Sequence, residues 1–208
     1  MEKVHSSHYD VDKRLTDILL AGLFLFPSLL VGTLLAVLVR CSSRGPVFYR
    51  EFRIGRNAER FRIWKFRTMY IGEARQQAVD EARYVEMDLR CFHKHEGDPR
   101  VTPIGRILRR WSLDELPQLI NVFKGDMSLI GPRPIVESER ELYGKDFSFY
   151  CAVRPGLSGL WQISGRSNLS YAERVKLDCS YVHNWSLAKD LWILLKTIPT
   201  VLKTDGAY

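Results

Sequence analysis

One apolar run dominates the pattern of hydrophobic and polar positions. From Ile18 to Val39 the chain reads ILLAGLFLFPSLLVGTLLAVLV, without a charged side chain. This run is long enough to cross the hydrocarbon core of a bilayer. It is too long for a cleavable signal peptide, and Arg40 and Arg44 follow it instead of a small-residue cleavage site. The pattern predicts a membrane-inserted segment over residues 1–44 and a domain with the composition of a soluble protein over residues 45–208.

The topology of this segment stays open between two forms. Lys13 and Arg14 precede it, and Arg40 and Arg44 follow it, so the positive-inside rule gives no direction. Pro27 removes one helical hydrogen bond near the middle. A re-entrant helical hairpin, broken at Pro27 and with both ends in the cytoplasm, accounts for both observations. A spanning helix with a proline kink is the equally weighted alternative.

Shorter periodicities predict the elements that follow Gly45-Pro46. The stretches VFYREFRIG and RFRIWKFRTM alternate apolar or aromatic positions with basic ones, which predicts a β-hairpin with one buried face and one basic face. The charged stretch from Gly72 to Arg90 is predicted to be a solvated helix. MSLIGPRP and VRPGLSGLWQISGR are typical of ordered loops and short strands.

Capping signals mark the remaining helices. Thr102-Pro103 predicts the start of a short helix through Arg110, and Gly125 ends the next one. Ser170 and Glu173 form a capping box. The C-terminal stretch SLAKDLWILLKTIPTVLK suits a helix in the membrane interface, with core packing as an equal alternative. Together these signals predict an α+β fold with mostly helix: a small, compact, membrane-associated domain with a re-entrant hairpin, a short strand pair and amphipathic interfacial helices.

Charge and cysteines narrow the class of partner and compartment. The net charge of +7 comes from 31 basic residues, 21 of them arginine, which favours bidentate recognition of phosphate or carboxylate groups. Nucleic acid, lipid headgroups and phosphorylated metabolites all meet that description. The four cysteines include no C-x-x-C pair, which suits a reducing compartment. Cys91, His93 and His95 lack a second ligand pair and are predicted to form a surface turn.

An acidic pair lies among arginines in RRWSLDELPQL, from Arg109 to Leu119. Ser112 and Glu115 fit a capping box, and Asp114 would sit in the first turn of the helix, so capping alone explains the pair. Pro117 fits better if Asp114 is the N-cap. From this window the structural interpretation is preferred.

Arginine-bearing loops elsewhere in the chain favour a functional role for the acidic pair over capping alone. Arginine precedes the pair at Arg109, follows it in the proline-framed turn at Arg133, and recurs in glycine-rich loops at Arg154 and Arg166. Such loops are suited to clamping phosphates. Acidic residues among arginines at a phosphate site usually bind a divalent metal or perform the displacement. The sequence contains no Walker A loop and no G-x-G-x-x-G, which disfavours an ATP-driven or dinucleotide enzyme.

Three blocks carry a specific resemblance: KFRTM from Lys65, DPRVTPIGRILRRWSLDELPQLINVFKGDMSLIGPRP from Asp98, and RPGLSGLWQISGR from Arg154. They resemble the hallmark blocks of the bacterial sugar transferases, the monotopic phosphoglycosyl transferases, and in particular the catalytic domain of undecaprenyl-phosphate galactose or glucose phosphotransferases. The likeness covers nearly the whole chain. It implies transfer of a sugar 1-phosphate from a UDP-sugar to undecaprenyl phosphate, the first membrane step in assembling a surface polysaccharide or lipopolysaccharide.

The resemblance also implies roles for individual residues. Asp114 would attack the sugar-bearing phosphate, release UMP and carry the phosphosugar, with Glu115 as base or metal helper. Both carboxylates would bind Mg²⁺, and Pro27 would break the membrane helix. The residues implied to bind the substrate's phosphates are Arg109, Arg133, Arg166, Lys65 and Arg67. The expected location is the bacterial inner membrane, with the site on its cytoplasmic face. Membrane lipids are further expected partners, and a homodimer is compatible with the sequence.

Two features depart from the family pattern, and three rival functions stay open. Phe26 precedes Pro27 where the family often has serine, and the larger members' N-terminal membrane bundle is lacking. An ordinary membrane-anchored glycosyltransferase would release UDP instead of UMP. A non-catalytic, membrane-anchored anion binder would use Asp114 only as a cap. A nucleic-acid module is disfavoured, because no nucleic-acid motif is present.

Overall fold

The computed structural model describes residues 7–74, 98–166 and 169–203, and most of these residues are helical. The α-helices are α1 (Ser7–Ser42), α2 (Pro103–Arg110), α3 (Leu119–Lys124), α4 (Arg140–Tyr143), α5 (Phe147–Cys151), α6 (Leu160–Ile163), α7 (Tyr171–His183) and α8 (Leu187–Lys203). The strands are β1 (Phe48–Ile54), β2 (Arg60–Phe66), β3 (Ser128–Ile130) and β4 (Gly156–Ser158). Short 3-10 helices lie at Arg56–Ala58, Leu113–Gln118, Glu137–Glu139 and Gly144–Asp146. The predicted mostly helical α+β class is confirmed.

The predicted hairpin is confirmed as the antiparallel pair β1–β2, in which Phe48 lies opposite Phe66. Its arginines do not form a separate basic face. Instead, the guanidinium carbon of Arg50 lies 4.7 Å from the centroid of the Trp64 ring, on the face that also carries Phe48. Aromatic rings and cations therefore share one side of the hairpin, where cation–π contact stabilises both.

Helix α1 runs through Pro27 as one helix, so a hairpin with its own turn is not confirmed. Its stretch Val11–Ser42 has a mean hydropathy of 2.4 in its most apolar window, which is long and apolar enough to cross a membrane. Leu19 and Phe26 are about 70% exposed, at 71% and 72%. Because a core helix would bury such side chains, the composition and exposure of α1 are those of a membrane helix.

Both ends of α1 contact the same domain. Near its start, Lys13 Nζ lies 2.7 Å from Asp190 Oδ2 on α8, and Ala21 is fully buried in the main core. Near its end, Leu35 and Val39 pack with Phe66 and Leu108 in a second core. The middle of the helix is mostly exposed. The division at residue 44 therefore stays a prediction, because α1 is joined to the rest of the chain along much of its length.

The main core surrounds the parallel pair β3–β4, in which Ser128 lies opposite Gly156. Helix α8 contributes fully buried Ile193 to this core, while Trp192 and Leu195 on the same helix stay exposed. Core packing is therefore confirmed for one side of the helix, and the membrane interface stays a prediction for its exposed apolar side. Ser128 donates to Asp17 of α1, which ties the sheet to the membrane helix.

The other helix signals are confirmed where the structure describes them. Thr102 accepts the backbone N–H of Gly105, Ser170 and Glu173 form the capping box of α7, and Gly125 ends α3 at φ 89°. Local capping chemistry therefore fixed these boundaries. The predicted solvated helix from Gly72 to Arg90, beyond residue 74, and the predicted turn at Cys91, His93 and His95 lie outside the described residues.

Candidate active site

The carboxylate pair lies on the 3-10 helix Leu113–Gln118, and the predicted capping box is wrong. Ser112 has a left-handed backbone, φ 54°, and makes no side-chain cap. Its hydroxyl instead accepts from Arg166 Nη2 at 3.4 Å. A contact with a residue 54 positions away therefore replaces the local cap. Asp114 is not an N-cap either, since it lies inside the 3-10 helix.

Asn121 in α3, the helix that follows the carboxylate pair, binds the backbone of the hairpin. Its side-chain oxygen accepts the backbone N–H of Trp64 at 3.0 Å, and its amide donates to Arg62 O at 2.8 Å. Because Asn121 is fully buried, these bonds fix the start of α3 to strand β2. The next residue of β2, Lys65, places its Nζ 2.7 Å from Glu115 Oε1. Strand β2 thus supplies the cation that pairs with the second carboxylate.

Two predicted arginines lie at the same site. Arg109, at the end of α2, donates from Nε to Thr68 Oγ1 at 3.0 Å. Burial lowers its pKa, and the nearby charge of Asp114 opposes that shift. Burial also lowers the pKa of Arg166, with Glu115 opposing it. The structure therefore brings Asp114, Glu115, Lys65, Arg109 and Arg166 together; we call these five residues the carboxylate site.

Asp114 is the least compensated member of the carboxylate site. Burial of the carboxyl group, and then the charge of Glu115, raise its pKa to about 6, while Lys65 and Arg109 act in the opposite direction. The residue as a whole keeps some contact with solvent, although its carboxyl group is surrounded by protein atoms. No side chain of the described residues donates a hydrogen bond to it. A carboxylate with a raised pKa and no side-chain donor is a candidate catalytic group.

Two of the strained backbone positions of the described residues lie at the carboxylate site. Ser112 and Arg166 are both non-glycine residues with positive φ, 54° and 51°. This region costs a non-glycine residue free energy, and it persists where surrounding contacts enforce it. Arg166 Nη1 is buried and lacks a hydrogen-bond partner within the described residues. The two strained residues meet through their side chains, beside the carboxylates.

Arg67, which was predicted to bind substrate phosphate, contacts the C-terminal end of α1 instead. Its Nε donates to Pro46 O at 2.7 Å and its Nη2 to Ser43 O at 2.8 Å, at the C-terminal end of α1. A further Nη2 contact reaches Val39 O at 3.4 Å. The side chain is 4% exposed, and burial lowers its pKa. These contacts make Arg67 a cap for the membrane helix, which differs from the predicted phosphate-binding role.

Arg133 belongs to a second group, which sequence reasoning missed. Strands β3 and β4 are parallel, so the turn after β3 that carries Arg133 and the segment after β4 that carries Trp161 leave the sheet at one edge. Arg133 Cζ lies 5.4 Å from the centroid of the Trp161 ring, and Arg174 Cζ lies 4.6 Å from it. Arg174 is inside α7, where no motif marks it.

Glycine makes this close packing of loops feasible. A Cβ on Gly156 would lie 2.1 Å from the backbone nitrogen of Gly131, and one on Gly159 would lie 2.2 Å from its carbonyl oxygen. Any side chain at these positions would push the two loops apart. The glycine-rich composition that predicted phosphate clamps therefore also has a packing cause.

The carboxylate site has the donors that magnesium requires. Mg²⁺ prefers carboxylate oxygens, and it is usually held by one or two of them together with substrate phosphates. Asp114 and Glu115 are adjacent, and their mutual repulsion contributes to the raised pKa of Asp114. A cation between them would relieve that repulsion. Within the described residues no group of three or more His, Cys, Asp or Glu side chains is gathered, so a site made by protein ligands alone is not present there.

Comparison with known proteins gives the family. The sequence profile described as bacterial sugar transferase matches residues 8–204. The chain is 48% identical over 202 residues to the exopolysaccharide production protein ExoY of Rhizobium meliloti, covering 94% of this chain and 88% of the relative. It is 41% identical over 209 residues to the UDP-glucose:undecaprenyl-phosphate glucose-1-phosphate transferase of Caulobacter vibrioides, covering 96% and 73%.

A third relative is longer than this chain. The undecaprenyl-phosphate galactose phosphotransferase of Salmonella typhimurium is 46% identical over 166 residues, which are 79% of this chain but 35% of the relative. The match therefore covers about a third of that protein. Because the family profile covers nearly every residue, and the identities extend over most of the sequence, this chain belongs to the bacterial sugar transferase family.

Proposed function

We propose that the chain transfers a sugar 1-phosphate from a UDP-sugar to undecaprenyl phosphate and releases UMP. The names of the Caulobacter and Salmonella relatives support the class of reaction and the lipid acceptor. The observation that carries the mechanism is the state of Asp114, a carboxylate without a donor partner among the described side chains, next to Lys65 and Arg109.

In the first half of the reaction, an oxygen of Asp114 attacks the phosphorus that carries the sugar. A new aspartyl O–P bond forms, and the bond from that phosphorus to the bridging oxygen breaks, so that its electron pair leaves with UMP. The carboxylate must be ionised to attack, and neighbouring cations offset the charge of the phosphates. Arg109 and Arg166 are proposed to hold the phosphate oxygens through charge-assisted hydrogen bonds.

In the second half, a phosphate oxygen of undecaprenyl phosphate attacks the same phosphorus. The aspartyl O–P bond breaks, its electron pair returns to the carboxylate of Asp114, and the product is a lipid diphosphate sugar. Glu115 is proposed to accept any proton that the lipid phosphate still carries, or to bind metal with Asp114. Lys65 pairs with Glu115 at 2.7 Å and would keep it ionised.

Magnesium, when bound by Asp114 and Glu115, would neutralise phosphate charge as a Lewis acid. The chain's own contribution is separate from that chemistry. Its cations are proposed to hold the phosphates in line with Asp114, and the contact between Arg166 and Ser112 would orient the Arg166 guanidinium toward them.

We also propose that the membrane helix is re-entrant, with both ends on the cytoplasmic side of the inner membrane. Support comes from contacts at its two ends. Arg14 Nη2 donates to Phe123 O at 2.6 Å, and Arg67 Nη2 donates to Ser43 O at 2.8 Å. Contacts from both ends of α1 to one polar domain favour a topology in which the two ends lie on the same side of the bilayer. Pro27, in the exposed middle, would form the apex in the membrane.

Cysteine labelling in intact cells tests this topology. Cys41 is exposed and reports the end of α1, while Lys3→Cys in a variant without other cysteines reports the start of the chain. A membrane-impermeant thiol reagent should label neither position until the inner membrane is opened. Labelling of Lys3→Cys from outside, with Cys41 still protected, would make α1 a true span.

The identity of the nucleotide product tests the reaction. Purified protein with UDP-sugar, Mg²⁺ and undecaprenyl phosphate should release UMP and form a lipid that carries two phosphates. Release of UDP, with a lipid monophosphate sugar, would establish the ordinary glycosyltransferase instead. Release of neither nucleotide across a panel of UDP-sugars, by a protein that still binds them, would favour the non-catalytic anion binder.

A further inference from the structure

Thr68, the residue after Arg67 in the KFRTM block, is held in place by the segment that leads into helix α2. Its carbonyl oxygen accepts the backbone N–H of Thr102 at 3.0 Å. A Cβ on Gly105 would lie 2.1 Å from the same oxygen, so α2 rests directly on the backbone of Thr68. Both threonines are buried. The position of Thr68 relative to α2 is therefore fixed by buried backbone contacts.

The side chain of Arg109 returns to Thr68 along one face of α2. Arg109 follows Gly105 by about one helical turn, so the two residues lie on the same side of the helix. A helical side chain leans toward the N-terminus of its helix, and Arg109 Nε donates to Thr68 Oγ1 at 3.0 Å. This is the one hydrogen bond that the Arg109 side chain makes within the described residues. The hydroxyl of Thr68 therefore sets the direction of this guanidinium.

The remaining nitrogens of Arg109 have no counter-charge at bonding distance. Asp114 and Asp98 are close enough for their charges to oppose the lowering of the Arg109 pKa by burial. Neither carboxylate lies within ion-pair distance of Arg109 in the described part of the chain. Asp98 is bound instead by Arg100, whose Nη2 lies 2.7 Å from Asp98 Oδ2. Arg109 thus lies beside Asp114 with Nη1 and Nη2 available to a ligand.

A neutral acceptor suits this position for a physical reason. A carboxylate bound to Arg109 Nε would offset the charge of the guanidinium, and a phosphate would then be attracted less strongly. A hydroxyl accepts from Nε without adding charge. Guanidinium binds phosphate through two parallel N–H groups, and its orientation decides whether both reach the oxygens. Thr68 therefore orients Arg109 and leaves its full charge to a substrate.

We propose that Thr68 is a positioning residue for phosphoryl transfer: its hydroxyl fixes the Arg109 guanidinium so that Nη1 and Nη2 are presented to a phosphate beside Asp114. The inference rests on the proposed function, in which Arg109 holds phosphate oxygens. Thr68 acts through Arg109 and touches no reacting atom. Because small misplacements of a binding group lower the rate of a positioned reaction, turnover should depend on this hydroxyl more than folding does.

A double-mutant cycle between Thr68 and Arg109 tests the proposal. Thr68→Val has nearly the same shape and removes the hydroxyl, so kcat/KM for nucleotide release per folded molecule should fall about tenfold. Thr68→Ser keeps the hydroxyl and should retain most of the wild-type rate. In the Arg109→Gln background, Thr68→Val should cause no further loss, because Thr68 acts through Arg109.

The matched control is Thr197→Val. It removes a part-buried hydroxyl on α8 that lies 2.7 Å from Ser158 Oγ on β4. This variant should leave kcat/KM per folded molecule unchanged.

Three results would overturn the proposal. The first is unchanged kcat/KM in Thr68→Val. The second is an equal fold loss from Thr68→Val with and without Arg109→Gln, and the third is a loss in Thr68→Ser as large as in Thr68→Val; either would make Thr68 structural. If Thr68→Val fails to fold, Thr68→Ala takes its place in the cycle, with the same expected outcomes.

Failure of the proposed function is read separately. The cycle uses whichever nucleotide is released, so release of UDP would defeat the proposed reaction and leave the result for Thr68 standing. If neither nucleotide is released, the cycle is read on the calorimetric affinity for UDP-glucose. Thr68→Val should then weaken binding only when Arg109 is present, and an equal loss in both backgrounds overturns the proposal.

Discussion

Two charged clusters in this chain use the same residue types in opposite ways. The first, which we call the α1 cluster, joins the membrane helix to the core through Lys13, Asp17, Asp190, Tyr181 and Ser128. The three charged side chains are 2–4% exposed. Asp190 accepts from Lys13 at 2.7 Å and from Tyr181 at 2.7 Å, and Ser128 donates to Asp17 at 2.9 Å. Of the charged atoms, one oxygen of Asp17 lacks a partner among the described residues.

The carboxylate site is arranged differently. Glu115 pairs with Lys65, but Asp114 has no side-chain donor within the described part of the chain, and Arg166 keeps a buried nitrogen without an acceptor. Two residues there adopt strained left-handed backbones. The charged groups of the α1 cluster are mostly paired with one another, although burial still raises the pKa of Asp17, whereas the carboxylate site holds an unpaired donor of Arg166 and an acid without any side-chain donor. Unsatisfied groups of this kind are expected where a ligand completes the arrangement.

The largest effect expected is on turnover, from Asp114→Asn. This variant is nearly isosteric but removes the nucleophile, so turnover should fall by at least on the order of 10³-fold while the protein stays folded. The control is Asp126→Asn, since Asp126 follows the same motif but only accepts from Asn121 at 3.1 Å. Initial rates of UMP release and melting temperatures measure both. Equal losses of turnover in Asp114→Asn and Asp126→Asn would contradict a specific role for Asp114 in the reaction.

The α1 cluster should respond in stability and not in chemistry. Asp190→Asn removes the nearer of the two counter-charges of buried Lys13 and leaves only Asp17 at 3.9 Å, which costs up to about 3–5 kcal/mol, or roughly 10 °C in melting temperature for a chain of this size. Circular dichroism melts measure the shift.

Two observations would contradict this account of the α1 cluster. The first is a melting shift in Asp190→Asn no larger than that of Asp12→Asn, a change at an exposed position of α1. The second is loss of turnover at temperatures where Asp190→Asn is fully folded, since that would place Asp190 in the chemistry.

Arg166 and Arg67 give the same contrast between an effect on turnover and an effect on stability, with smaller expected changes. Arg166→Gln should lower turnover by about 10–10²-fold with little change in melting temperature, because it removes a charge-assisted contact to phosphate. Arg67→Gln should lower the melting temperature instead, because Arg67 caps α1 through Ser43 and Pro46. Turnover per folded molecule should then stay near that of the wild type. The reverse pattern would restore Arg67 to the phosphate site.

A pH dependence of stability is the smallest effect expected. The pKa of Asp114 is raised from 3.8 to about 6, so the folded state holds this proton more tightly than the unfolded state. Its contribution to the free energy of unfolding is largest below about pH 4 and is lost as the pH rises through about 6. Asp114→Asn lacks this titration, so its melting temperature should gain on the wild type between pH 4 and pH 7, measured with chelator present.

A variant of Glu115 gives a second test of the raised pKa of Asp114. Glu115→Gln removes the like charge and should lower the pKa of Asp114, so the inflection in stability moves to lower pH. A melting difference between Asp114→Asn and wild type that is constant with pH would mean that the burial of Asp114 has little electrostatic effect.

Local patterns predicted much of this fold. The apolar run, the alternating hairpin and the caps at Thr102 and Ser170 are decided by neighbours in sequence, and the structure has each of them. Ser112 shows the limit. Its capping pattern is intact, but Arg166 binds its hydroxyl from far along the chain, and the backbone takes a left-handed form.

The candidate site was predictable in part, for a related reason. The family motifs mark Asp114, Glu115, Lys65, Arg109 and Arg166, and the structure gathers these residues. Which arginine faces which partner depends on long-range packing. Arg67 is bound to the end of α1, and Arg133 joins Arg174, which lies in a helix interior where its spacing indicates nothing but a solvated turn.

The central claim is that Asp114 carries the phosphosugar, and the mass of the intact protein tests it most directly. Wild-type protein incubated with UDP-sugar and Mg²⁺ but without lipid should gain the mass of one sugar phosphate, at most about one per molecule, on the peptide that contains Asp114. Adding undecaprenyl phosphate should remove it, and Asp114→Asn should never acquire it. An unmodified wild-type protein that releases UMP only when lipid is present, or an equal mass gain in Asp114→Asn, would contradict the account.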